Sequence, residues 1–174
     1  MERTPVFINS TGDLQRFQPG DTVPFSMSGA GQKIRGNIGE SSGTTLIPFD
    51  TTAPLSTEGT QLFSATITPQ SLSSNIKINL STMIDTSKTN LIVTVAIFRG
   101  TTLLGWKSAG SSAYNGSSPT PLDICINDTP GQLVALQYTA RVGISASGTW
   151  YINRGATETM GGSNNLAWSV EEEL

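Results

Sequence analysis

From Thr44 onward apolar and polar residues alternate with a period of two, the spacing of a strand with one dry and one wet face. In "QLFSATITP", Phe63, Ala65 and Ile67 fall on one side and Ser64, Thr66 and Thr68 on the other. "NIKINLSTMID" sets Ile76, Ile78, Leu80 and Ile84 against Lys77, Asn79 and Ser81. "QLVALQYTARVGI" sets Val134, Leu136, Tyr138, Ala140 and Val142 against Gln137, Thr139 and Arg141. "TTLIPF", "PLDICIND", "GTWYINR" and "NLAWSVEEEL" extend the series. Turn-forming clusters separate these runs every ~8–12 residues, the signature of an antiparallel sandwich or barrel. No stretch carries the apolar spacing of a helix. The pattern predicts an all-β fold, an antiparallel jelly-roll sandwich; an immunoglobulin sandwich is disfavoured because its Cys…Trp…Cys spacing is missing.

One strand breaks the rule. In "LIVTVAIFRG" the residues Leu91, Val93, Val95 and Ile97 supply a core face, yet the opposite face carries Ile92, Thr94, Ala96 and Phe98. The following "TTLLGW" adds Leu104 and Trp106. With no helix to cover it, the second face of an antiparallel sheet is normally wet. A contiguous apolar outer face of this kind marks an interface. Ile92, Thr94, Ala96, Phe98 and Leu104 are therefore expected to meet other copies of the chain, symmetric self-association being the default. The alternative is that a loop or the N-terminal ribbon folds over them.

Residues 1–43 have a different texture. Two short apolar pieces, one at Val6, Phe7 and Ile8 and one from Leu14 to Phe17, flank "NSTGD", a turn-type cluster. The glycine-rich "SMSGAGQKIRGNIGESSG" follows and reads as a linker. The sequence thus predicts a short extended attachment segment and linker over 1–43 and a head domain over 44–174. "GAGQK" lacks the phosphate-loop pattern, since Ile34 follows Lys33.

Composition narrows the chemistry. The net charge is −3, charged residues make up 13%, and no basic cluster exists, so electrostatic nucleic-acid binding is not expected. No apolar run reaches the ~18–20 residues of a membrane span, and "MERTPVFINS" lacks the apolar core of a signal peptide, so no membrane insertion is expected. The absence of histidine rules out a Ser–His–Asp triad, a His-ligated metal and a His proton shuttle. The lone Cys125 allows no internal disulfide and no Cys-based zinc site, and it reads as a small half-buried strand residue. Neither a cofactor nor a metal is expected. The remaining titrating groups are carboxylates. Asp123 with Asp128, and Asp50 with Glu58, read as turn-capping groups rather than a catalytic pair, so the chain is expected not to be an enzyme.

Binding residues are sought in the loops. The stretch 105–121 combines Trp106, Lys107, Tyr114 and Asn115, rigid aromatics beside amides and hydroxyls suited to recognising glycans. The strand count sends this loop and 155–165 to opposite ends of the sandwich. Arg99 and Arg141 lie in apolar strands and are each expected to pair with a carboxylate or a carbonyl. "EEEL" reads as three solvated acids, a cation or basic partner being the alternative.

Certain tags, in their order, carry a resemblance. They are "IPFD" (47–50), "TEGTQ" (57–61), "ATITP" (65–69), "AIFRG" (96–100), "YTARVG" (138–143) and "INR" (152–154). Over residues 44–174 the chain resembles the C1q/TNF-like jelly-roll domain of tailed-phage virion proteins, and "FINSTGDLQRFQPGDTV" resembles the short segment that precedes such heads in phage fibres. The resemblance implies a homotrimer that covers the apolar face of 91–98. It implies a location in the virion, as a tail fibre or receptor-binding protein recognising a host-surface receptor, a saccharide in the favoured case. The alternative it allows is a capsid decoration or cement protein. Either way residues 1–43 would hold other virion proteins, tail or capsid, with Val6, Phe7, Ile8, Leu14 and Phe17 as the attachment residues.

Overall fold

The structure, a computed structural model, describes residues 6–8, 14–16, 31–110, 119–156 and 166–174. Its strands are β1 (Val6–Ile8), β2 (Leu14–Arg16), β3 (Lys33–Ile38), β4 (Ser41–Gly43), β5 (Thr60–Ile67), β6 (Asn75–Thr86), β7 (Ile92–Arg99), β8 (Thr102–Gly110), β9 (Thr120–Asp128), β10 (Leu136–Ile144), β11 (Trp150–Ile152) and β12 (Leu166–Glu173). The two apolar pieces of the N-terminal segment pair antiparallel as β1 and β2, with Phe7 opposite Gln15. Phe17 lies outside the described residues.

The head is a sandwich of two antiparallel sheets. One runs β5-β10-β7-β8. The other is built on the long β6, which pairs with β9 along one edge. Along its other edge lie β12 and β11 end to end, and outside these lie β3 and β4. Most connections cross from one sheet to the other, as in a jelly roll. The alternating residues read from the sequence do face inward: Phe63, Ala65 and Ile67, then Ile76, Ile78, Leu80 and Ile84, then Leu136, Tyr138, Ala140 and Val142 all belong to one buried cluster. Val134 does not; it stands exposed before β10 begins. "TTLIPF" is no strand but the start of a loop, touching the sheet through one bridge between Leu46 and Ile144.

The boundary at 43/44 is corrected. Residues 33–43, read as linker, are β3 and β4, the outermost strands of the second sheet. Their glycines are seats for aromatic rings. A Cβ on Gly36 would lie 2.8 Å from the Trp168 indole, and one on Gly43 would lie 2.5 Å from that of Trp150. Trp168 in turn stacks on Phe63 of the facing sheet, ring centroids 4.3 Å apart.

The apolar second face of β7 closes within the chain. Thr94, Ala96 and Phe98 are all buried, and Ile92 is half-buried. In cross-strand register Ala96 lies between Arg141 and Trp106, and Phe98 between Thr139 and Leu103. Arg141 swings its guanidinium to the carbonyls of Glu58 and Gly59, at 2.5 and 2.8 Å. Ile47, fully buried, sits where a side chain on Gly143 would be. So the loop over 46–59 folds onto this face. Its neck is closed by the Gly59 amide on the Leu46 carbonyl (2.9 Å), the geometry of an Ω-loop. Leu104 is corrected too: a bulge after Ile97 turns it toward the core cluster, away from the proposed interface.

Candidate functional site

The face of the second sheet turned away from the core is polar, with short side chains set among long charged ones. Register aligns Arg35 (β3), Ser169 (β12), Asn79 (β6) and Cys125 (β9) in one row across four strands. The row toward the chain's C-terminus is Lys33, Glu171, Lys77 and Asn127. There Lys33 and Glu171 pair at 2.7 Å, and that hydrogen bond holds the Glu171 carboxyl below its usual range. Long paired side chains on one row and small ones on the next leave a groove of about 470 Å3. Cys125 is exposed on its floor, not half-buried as expected, because Ile124 and Ile126 take the inward positions.

The groove adjoins a second hollow of about 220 Å3 at the seam where β8 meets β9. Trp106 and Lys107 line this seam together with Asp123 and Cys125, which the groove shares. Trp106 is 52% exposed. The Lys107 ammonium donates to the Asp123 carbonyl at 3.0 Å, and the Asp123 carboxylate accepts from Ser81 at 2.6 Å. Tyr114 and Asn115 lie outside the described residues. The loop expected at the far end, 155–165, leaves from the same half of the sandwich: the Ala156 amide donates to Asp85, opposite Tyr151, near where β8 ends and β9 starts.

Asp50, Glu58 and Asp128 each hold neighbouring segments together. Asp50 accepts from the amide and hydroxyl of Thr52, and Glu58 accepts from the Leu55 amide. Asp128 receives Arg99 through both oxygens at 2.7 Å and the Tyr138 hydroxyl at 2.8 Å, which joins the two sheets at the start of β6. Burial, and then that bond, push the Tyr138 phenol well above its usual range. Arg99 and Arg141 thus take a carboxylate and carbonyls respectively, as their setting in apolar strands suggested. Among the described residues no three His, Cys, Asp or Glu gather as a metal site. No helix there is long and apolar enough to cross a membrane.

"EEEL" is not a solvated cluster. Glu171 pairs with Lys33, Glu173 meets Asn75 and Lys77, and Glu172 is buried. Its carboxylate accepts from the Gln70 amide (2.6 Å), the Ser74 hydroxyl (2.7 Å) and the Gln32 amide (3.3 Å). Glu172 thereby ties the C-terminal strand to the β5–β6 turn and to the point where residues 1–30 join the head. Burial alone would raise its pKa; the hydrogen bonds outweigh it and hold the carboxyl below its usual value. A depressed folded pKa contributes stability above the unfolded value, about 4.3, that is lost as pH falls through the folded one. Glu172→Gln is expected to flatten the acid limb of a stability–pH curve from urea melts and to lower stability at pH 7 by about 1–3 kcal/mol. An unchanged acid limb would assign the loss to other carboxylates.

No family model and no curated protein matches the chain. Among solved structures it is similar to infectious bursal disease virus particles. The Gt strain structure aligns at 12% identity and a TM-score of 0.45, covering 98% of this chain and 42% of that one. The T=1 particles derived from the virus align at 13% and 0.45, with 98% and 40% covered. The VP2 subviral particle aligns at 11% and 0.38, with 98% and 42% covered. The chain thus spans less than half the length of these proteins, and at such identities and scores the likeness carries no argument about its role.

Proposed function

We propose that the chain is a non-enzymatic structural protein of a bacteriophage virion, a homotrimeric tail fibre or receptor-binding protein. In this reading the sandwich head recognises a host-surface receptor and the segment before β3, with β1 and β2, attaches to another virion protein. The supporting observation is that the tags carrying the phage resemblance, scattered along the sequence, are joined in space. "ATITP" lies on β5, "YTARVG" on β10 and "AIFRG" on β7, three adjacent strands with Ala65 opposite Tyr138 and Tyr138 opposite Arg99. Arg141 of "YTARVG" holds the Glu58–Gly59 carbonyls of "TEGTQ", and Gly143 receives Ile47 of "IPFD". Asn153 of "INR" is buried, accepting from Thr82 and donating to the Ile38 carbonyl at 2.6 Å.

The trimer no longer rests on β7, whose second face is covered by its own chain. It rests on the resemblance and on Leu46, Phe49 and Leu55, which the 46–59 loop leaves exposed. Sedimentation is expected to give three times the 18.4 kDa chain mass. A stable monomer would end the trimeric reading. Antibody labelling of intact particles is expected at the tail; label spread over the shell would instead assign capsid decoration.

A further inference from the structure

The groove across β3, β12, β6 and β9 and the seam beside it carry two cations that pair with no carboxylate among the described residues. Lys33 is held by Glu171 and Lys77 is near Glu173. Arg35, exposed at one mouth of the groove, meets no carboxylate among the described residues. Lys107, at the seam that continues the groove, bonds only the Asp123 backbone carbonyl there. Between the two cations lie the hydroxyls and amide of Ser169, Ser81 and Asn79 and one carboxylate, that of Asp123, which accepts from Ser81; beside Lys107 stands the exposed Trp106.

We propose that this groove and seam bind an acidic saccharide, lying across the strands with its carboxylate or phosphate on Arg35 and a sugar face on Trp106. The proposal deepens the receptor-binding reading and rests on it. A guanidinium takes carboxylate or phosphate through two parallel hydrogen bonds, and an indole offers a rigid apolar face with little rotamer freedom to lose. At ~4.8 Å per strand, the step from β3 to β9 is ~14 Å, longer than one sugar ring. An added peptide strand is a poor occupant. The surface is a sheet face whose backbone groups are already used in the ladders, and strand addition needs a free edge.

Cys125, the one cysteine of the chain, lies on the groove floor and gives a direct readout. The full chain is applied to an array of matched acidic and neutral oligosaccharides, the strongest binder is titrated, and the rate of Cys125 alkylation is followed with and without it. Acidic members are expected to bind about tenfold more tightly than neutral ones of the same backbone, and less tightly as salt rises. Arg35→Ala is expected to weaken binding about tenfold, whereas Lys88→Ala, between β6 and β7 and away from the groove, changes it less than about twofold. Saturating saccharide is expected to protect Cys125. Equal retention of acidic and neutral members, no retention at all, or binding that leaves Cys125 freely reactive would each overturn the proposal. So would a Cys125 that is unreactive before any ligand is added, which would place a second copy on this face. Competition of phage adsorption by the purified chain tests the receptor reading separately: competition without saccharide binding leaves that reading standing and ends this one.

Discussion

Asp128→Ala is expected to lower the unfolding free energy by about 3–5 kcal/mol, the cost of leaving one member of a buried ion pair without its partner. Arg99 and Asp128 are 23% and 10% exposed, so solvent screens the pair only slightly. The same carboxylate accepts the hydroxyl of the fully buried Tyr138, so its removal strands two donors at once. The three residues come from β7, β9 and β10 and therefore from both sheets, which makes the loss one of inter-sheet registration as well as of charge. In a domain of this size each kcal/mol moves Tm by about 2–4 °C. Urea melts of the wild type and Asp128→Ala should show a shifted midpoint at constant slope. Asp128→Asn, which still accepts from Tyr138, is expected to lose less. If the apolar pair Arg99→Met with Asp128→Leu recovers most of the loss, the damage lies in the orphaned charge. A loss below about 1 kcal/mol for Asp128→Ala would mean that water reaches Arg99 and that the joint is a surface pair.

This joint explains why fold was more legible than function. Arg99 and Tyr138 belong to "AIFRG" and "YTARVG", the tags by which the sequence resembles phage heads, and both serve to join strands. Arg141 and Asn153, from the same set of tags, hold a loop neck and a strand end. The motifs are thus the polar fixings of the sandwich and say nothing direct about a ligand. The residues that line the groove, among them Arg35, Asn79, Ser81 and Ser169, look individually like ordinary wet-face residues. Only the register of four strands from distant parts of the sequence puts Arg35, Ser169, Asn79 and Cys125 in one row. Trp106 and Lys107 stand out in the sequence because an aromatic beside a cation is conspicuous locally; Asp123, which lines the same seam, reads there only as a turn residue.

The second face of β7 failed as an interface signal for a physical reason. Alternation reports what is buried, and says nothing about whether the cover comes from another copy or from the same chain. Here Ile47 and Arg141 supply cover that period-two counting cannot see, since Ile47 belongs to a loop and Arg141 is charged. Clean alternation in β5 and along most of β6, by contrast, marks their inner faces because each has one wet side, and β10 reads the same way because its covered second face carries the polar Gln137, Thr139 and Arg141.

Glycine misled most at β3 and β4, and Gly43→Ala is accordingly expected to cost about 2–3 kcal/mol although it adds one methyl to an outer strand. On a generic exposed strand the same change is neutral or stabilising, since alanine restricts the unfolded chain more than glycine does. The sign reverses here because the new Cβ would lie 2.5 Å from Cζ2 of Trp150. That ring cannot yield easily: it is 1% exposed, and its Nε1 donates to the Thr45 hydroxyl at 3.3 Å. Gly36→Ala meets Trp168 at 2.8 Å, a looser fit against a half-buried ring, and is expected to cost less. Trp150→Phe removes the part of the indole that would clash, so in that background Gly43→Ala is expected to cost under about 1 kcal/mol. A coupling of at least 1 kcal/mol between the two positions, measured by urea melts of the four proteins, would identify the glycine as a seat for the ring. Additive costs would instead make Gly43 a matter of backbone freedom.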